Sequence, residues 1–171
     1  MICPSCGHDN IRGADTCAEC GMSVVQDSAE HEEGSLGVLA DPLSSLQQRV
    51  PECIPLDAAM TDVLARLKGK NVGSLQVVDE AGKLVGIFTE RDVLNKVAGL
   101  IKDLDQIVVE SLMTPNPTAL RPDMAIQHAL HLMSVHGFRH IPLVDEDNRP
   151  VGVVSFRDVV GLIERHFAPR S

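Results

Sequence analysis

The stretch Gly86-Ile87-Phe88-Thr89-Glu90-Arg91-Asp92-Val93-Leu94 recurs as Gly152-Val153-Val154-Ser155-Phe156-Arg157-Asp158-Val159-Val160, offset by 66 residues throughout. Residues 78–93 align with 144–159 without a gap, and eight of the sixteen positions are identical, so one unit is used twice. Each copy follows an apolar run, precedes a helix-like pattern, and sets a hydroxyl three residues before a carboxylate. One reading is helix capping, in which the hydroxyl accepts from first-turn N–H groups and the acid reaches back, although Asp is shorter than the usual Glu or Gln. The other is a nucleotide site. A helix N-terminus offers free N–H groups and a positive dipole end to phosphate, and a carboxylate can accept both hydroxyls of a ribose. Spacing alone admits both, and a cap would fix the geometry that a ligand uses.

Working outward, each unit reads as helix, strand, strand, helix. Asp57 is placed to cap a helix over residues 58–68, with Met60, Val63, Leu64 and Leu67 on its buried face. Residues 75–78 and 84–88 read as strands joined by a turn at 79–82, and Thr89 opens a second helix to about Val97. In the second unit Asp123 matches Asp57, Leu130 matches Leu64 and Met133 matches Leu67. Units of roughly 60 residues are too small to bury both faces alone. The expectation is therefore an α/β (α+β) fold in which repeats spanning 41–107 and 108–167 pack sheet to sheet as a pseudo-two-fold pair.

Composition limits what such a domain can be. The 171 residues are 44% hydrophobic but only 2% aromatic, so the core must be built from Val, Leu, Ile, Ala and Met. No apolar run approaches the ~20 residues of a membrane span, and Met1-Ile2-Cys3-Pro4 lacks the features of a signal peptide. These features predict a soluble, cytoplasmic protein without a membrane partner. Of the net charge of -9, residues 1–48 hold one basic residue, Arg12, against eight acids, which is -7. A nucleic-acid reader needs the opposite balance.

At the N-terminus, Cys3-Pro4-Ser5-Cys6-Gly7 and Cys17-Ala18-Glu19-Cys20-Gly21 place two Cys-x-x-Cys pairs ten residues apart. Two residues between thiols let both sulfurs of a knuckle face one ion, and two knuckles complete a tetrahedral site. Disulfides are disfavoured in a cytosolic chain, and a redox motif would not explain the duplication. The pattern predicts a structural Zn2+ held by Cys3, Cys6, Cys17 and Cys20. The metal would fold residues 1–22, a piece too short to bury a core of its own. It resembles the short zinc ribbons at the ends of many prokaryotic proteins. His8 reads as a solvated turn residue. Residues 23–40 are acidic, polar and without hydrophobic period, and read as a flexible linker. Asp41-Pro42-Leu43 then reads as a helix start, with Leu43, Leu46 and Val50 on one face.

Met113-Thr114-Pro115-Asn116-Pro117, Arg139-His140-Ile141-Pro142-Leu143-Val144-Asp145-Glu146 and Val151-Gly152-Val153-Val154-Ser155-Phe156-Arg157-Asp158 resemble the signatures of CBS domains. Tandem copies form a Bateman module, and the resemblance covers about residues 41–167. It implies a βαββα fold per repeat, disc-like homodimers, and a cleft between repeats that binds AMP, ADP, ATP or S-adenosylmethionine. Carried over, the Gly-x-x-Ser/Thr-x-x-Asp pattern puts Asp158 and Asp92 on ribose and Ser155 and Thr89 near phosphate. Ile141 and Pro142 would line the adenine side, with Thr118 and Ala119 nearby. The second repeat adds Arg139-His140 at the strand start, where the first has uncharged Gly73-Ser74, so the second site is the better phosphate binder. Arg91 and Arg157 fit phosphate or acids across the domain equally well.

His128 and His131 lie opposite the apolar face of Ile126, Ala129, Leu130 and Met133 and are expected to face solvent. Cys53 reads as a small buried hydrophobe. No nucleophile–base pair, open metal site or Walker-type loop is visible, so the chain reads as no enzyme. The leading reading is a regulatory module binding an adenosine-type ligand, with the zinc ribbon docking a protein partner. A constitutive dimerisation protein with an empty cleft, and a nucleotide-controlled zinc-ribbon nucleic-acid factor, are the alternatives.

Overall fold

The computed structural model describes residues 3, 8–11, 14, 16–21, 37–47, 49–99 and 103–167. Two aspartates shape its tight turns. Asp79 Oδ1 accepts from the N–H groups of Ala81 and Lys83 at 2.9 and 2.8 Å, and Asp145 Oδ1 accepts from Asp147 and Arg149 at the same distances. Each turn closes through a left-handed residue, Gly82 (φ 78°) in the first and Asn148 (φ 62°) in the second. The flanking runs are strands β2 (Ser74–Val78), β3 (Leu84–Thr89), β5 (His140–Val144) and β6 (Pro150–Ser155).

With β1 (Cys53–Pro55), α1 (Met60–Lys70), α2 (Glu90–Asp92), β4 (Thr114–Pro115), α3 (Ile126–His136) and α4 (Phe156–Phe167), the order is βαββα twice. The expected α+β fold is observed. One sheet runs β1-β2-β3-β4, with β1 parallel to β2 and the other pairs antiparallel; β5 and β6 form a second sheet.

The chain divides into two compact units, Met1–Gln48 with Ala119–Ile141 and Val154–Ser171, and Arg49–Thr118 with Pro142–Val153. In the second unit, Leu75 and Val77 on one face of β2 pack with Phe88, Met60, Val63 and Leu67, as the alternation of a strand and the 3–4 spacing of a helix require. In the first, Leu43, Leu120, Ile126, Ala129, Leu132 and Ile141 are buried to 2% exposure or less. Leu64 and Leu130, expected inside, are half-buried.

Neither Asp57 nor Asp123 caps a helix. The N-caps are Ala59 and Ala125, which make no side-chain cap. The helix starts are instead tied by main-chain bonds to segments from elsewhere in the sequence. Met60 N–H donates to Ile107 and Val109 N–H to Ala58, both at 2.9 Å; Ile126 N–H donates to Asp41 at 2.9 Å and Leu43 N–H to Met124 at 2.8 Å. The two sets of partners are related by the same 66-residue offset. The leading segment of each repeat thus completes the helix start of the other, which a carboxylate cap would otherwise serve.

The helix expected after Asp41 is absent. Gly37–Ala40 and Leu43–Ser45 are 3-10 turns, Pro42 is extended, and Val50 is 84% exposed. The extended backbone at Pro42 is what lets that segment pair with Ala125 at the start of α3. Cys6 and residues 23–36 of the expected linker lie outside the described residues.

Candidate functional site

Both copies of the repeated motif form the same capping box. Thr89 donates to Asp92 Oδ2 from its N–H at 2.9 Å and its hydroxyl at 2.7 Å, and Asp92 N–H donates back to the hydroxyl oxygen at 3.4 Å. The Ser155–Asp158 distances are 2.8, 2.6 and 3.3 Å. Capping is therefore present at both sites. It does not exhaust a carboxylate, which has about four acceptor positions.

The helix starts are also tied alike. Glu90 N–H donates to the Gly73 carbonyl at 3.1 Å and Phe156 N–H to the Arg139 carbonyl at 2.9 Å. This second bond brings the Arg139 backbone beside Ser155 and Asp158. Arg139 is exposed, His140 half-buried and Ile141 fully buried. Of the remaining proposed ligand residues, buried Pro142 and half-buried Thr118 belong to the other compact unit. Arg91 and Arg157 are exposed.

The surroundings differ in a way that the motif comparison missed. Lys96 Nζ lies 2.7 Å from Asp92 Oδ1, and this ammonium also donates to the Leu112 carbonyl at 2.7 Å. The Asp92 side chain is 12% exposed, so the pair is shielded more than a surface bridge. The matching residue in the second repeat is Leu162, half-buried and uncharged. The signal was legible as an Asp–Lys pair at i, i+4. The following helices differ as well. α2 winds into a π-turn over Val93–Val97 and stops at Ala98, whereas α4 runs for 12 residues.

A second cluster gathers Cys3, Cys17 and Cys20, at 1%, 2% and 2% exposure, with their sulfurs within 4.8 Å of one another. Cys3 and Cys20 Sγ are 3.6 Å apart, within S–H···S hydrogen-bond reach, and form no disulfide. Four sulfurs at about 2.3 Å from one zinc ion would be spaced by about 3.8 Å, so three of the four expected ligands fit a tetrahedral thiolate site. Gly21 (φ 70°) closes the knuckle by donating to the Cys17 carbonyl at 2.8 Å. Asn10, which the sequence reading passed over, is 6% exposed. Its amide donates to Cys17 Sγ at 3.4 Å and to the His8 carbonyl at 3.0 Å, and its oxygen accepts from Ala18 N–H at 2.9 Å.

His128 and His131 do not face open solvent; both are half-buried. His131 Nε2 lies 2.6 Å from the Cys20 carbonyl. Burial, and then the neighbouring His131, push the His128 pKa below its ordinary value. Helical periodicity placed these residues opposite the apolar face correctly but could not show that the cysteine segment covers that side. Cys53 is half-buried rather than fully enclosed, and burial followed by Glu52 raises its thiol pKa.

A family model described as the CBS domain matches residues 43–99 and 109–165. An uncharacterised 17.7 kDa protein of Acidianus ambivalens is 32% identical over 111 residues, which cover 64% of this chain and 66% of that relative. Other curated relatives are matched over as little as 18% of their own length. The solved CBS domain pair of protein MJ0100, in complex with 5-methylthioadenosine and S-adenosyl-L-methionine, superposes with a TM-score of 0.66 at 26% identity, covering 74% of this chain and 98% of that one. The CBS domain protein PAE2072 from Pyrobaculum aerophilum, complexed with AMP, gives 0.63 at 28% identity, covering 68% and 88%. Among the described residues no helix is long and apolar enough to cross a membrane.

Proposed function

The chain belongs to the CBS-domain family, and from that premise we propose that it is a non-catalytic regulatory module whose second repeat binds an adenosine-type ligand. The observation that carries this reading is the grouping at the start of α4. Ser155, Asp158 and the backbone of Arg139 meet at one helix N-terminus, and the residue four positions after Asp158 is Leu162 where the first repeat has Lys96. Asp158 would accept from ribose hydroxyls. Phosphate would lie at the positive end of α4 beside Ser155 and meet the Arg139 guanidinium. His140 and Ile141, in the same compact unit, complete the residues assigned to the ligand there. The structures complexed with AMP and with S-adenosyl-L-methionine support this ligand class. A ligand that binds one conformation of the module better shifts its population toward that conformation. The module acts as a homodimer in this reading.

Zinc belongs to the same proposal. Cys3, Cys17 and Cys20, with Cys6, would hold one structural ion whose four thiolates leave no open position for chemistry. The residues around it dock a protein partner. Calorimetric titration of the intact chain with AMP, ADP, ATP and S-adenosylmethionine, with metal content measured on the same sample, tests both parts. One zinc per chain and micromolar binding of an adenosine ligand are expected. Absence of heat with every ligand would leave constitutive assembly as the better account.

A further inference from the structure

We infer that His131 clasps the cysteine cluster onto helix α3, so that metal occupancy there is coupled to ligand binding at the second repeat; the coupling rests on the metal and ligand readings above. A carbonyl oxygen can only accept, so the 2.6 Å contact between His131 Nε2 and Cys20 O requires the proton on Nε2. It joins residues 111 apart in sequence, inside one compact unit. Cys20 is both a member of the thiol cluster and the acceptor of this bond. Asn10 stiffens the same knuckle from the other side, through Cys17 Sγ and Ala18 N–H. A metal ion that fixes the sulfurs of Cys17 and Cys20 therefore also fixes where the Cys20 carbonyl points. Losing the ion frees the knuckle and weakens the hold on α3.

Helix α3 carries that change toward the proposed ligand site. It runs through His136, turns at left-handed Gly137 (φ 67°), and leads in two residues to Arg139, whose carbonyl accepts from the first N–H of α4 beside Ser155 and Asp158. Occupancy of the cysteine cluster thus biases the placement of Arg139 and His140, and by reciprocity an adenosine ligand changes metal affinity by the same factor.

The test uses the full chain, zinc-loaded and zinc-stripped, as wild type, His131→Ala and His131→Gln. Amide hydrogen exchange of residues 126–136 should quicken about fivefold or more when zinc leaves the wild type, a size typical of coupling between sites. His131→Ala should still bind one zinc per chain, yet show no metal-dependent exchange in α3. His131→Gln, which keeps an N–H donor, should recover part of the response. AMP affinity should differ between loaded and stripped wild type by about fivefold, and not in His131→Ala. Exchange in α3 that ignores zinc, or a full response in His131→Ala, would overturn the clasp. Equal AMP affinity with and without zinc, alongside a metal-dependent α3, would overturn the coupling alone. No AMP binding by loaded wild type would remove the ligand reading, and the coupling with it, while the exchange data still decide the clasp.

Discussion

In the first repeat Asp92 divides its carboxylate between Thr89 and the ammonium of Lys96, whereas in the second Asp158 holds Ser155 in the same geometry with Leu162 one turn further on. The capping distances agree to 0.1 Å between the copies. What differs is the residue four positions after each carboxylate, Lys96 against Leu162, and Arg139-His140 against Gly73-Ser74 adds to it. The motif itself thus supplies a helix start in both places. In the proposed reading its neighbours decide which start is suited to an anionic, ribose-bearing ligand.

Packing adds a constraint at the first motif. A Cβ on Gly86 would overlap Met113 Sδ, and the position that matches Met113 in the other half of the offset is exposed Gln47. Gly86→Ala should therefore cost about 1–3 kcal/mol of stability, read as a lower denaturant midpoint. Combined with Met113→Ala it should cost less than the sum of the two single changes; simple additivity would mean that the contact is not what constrains the glycine.

Giving the second repeat the lysine of the first is a sharper probe. Leu162→Lys should pair with Asp158 and weaken AMP binding about tenfold, a loss of ~1.4 kcal/mol, while leaving the fold intact. Unchanged affinity would show that the ammonium does not compete for the carboxylate.

The caps themselves should be interchangeable. Thr89→Ala and Ser155→Ala should each lower stability by about 1 kcal/mol, and by similar amounts, because the two boxes are alike. A cost confined to one of them would mean that the other box does not contribute to stability.

The smallest expected effect is in pH. His128 has a lowered pKa in the folded chain, so the unfolded chain binds more protons at mildly acidic pH. Above its ordinary value of 6.5 the group is neutral in both states and contributes nothing; as pH falls below 6.5, folding stability drops. His128→Leu should flatten that part of the wild-type stability profile in zinc-saturated protein. An identical slope would assign the drop to other groups.

The repeat, the α+β order and both capping boxes were legible because period, turn residues and the 66-residue offset are local properties of the chain. The helix starts were misread at Asp57 and Asp123 because their N–H groups are served by backbone from residues 107 and 41, and no local rule reveals a partner that distant. His131 was misplaced for the same reason, since the Cys20 carbonyl that covers it comes from 111 residues away. Lys96 was different: its spacing from Asp92 was in plain view, and only its contact with the Asp92 carboxylate and the Leu112 carbonyl needed the structure.

The most direct measurement is the calorimetric stoichiometry of AMP with wild type, Asp158→Asn and Asp92→Asn chains, all zinc-loaded. One ligand per chain is expected, retained by Asp92→Asn and weakened by at least about tenfold in Asp158→Asn, because a charge-assisted contact contributes roughly 1.5–3 kcal/mol. Two equivalent ligands per chain, or equal losses in the two variants, would contradict the assignment of the second repeat as the binding site.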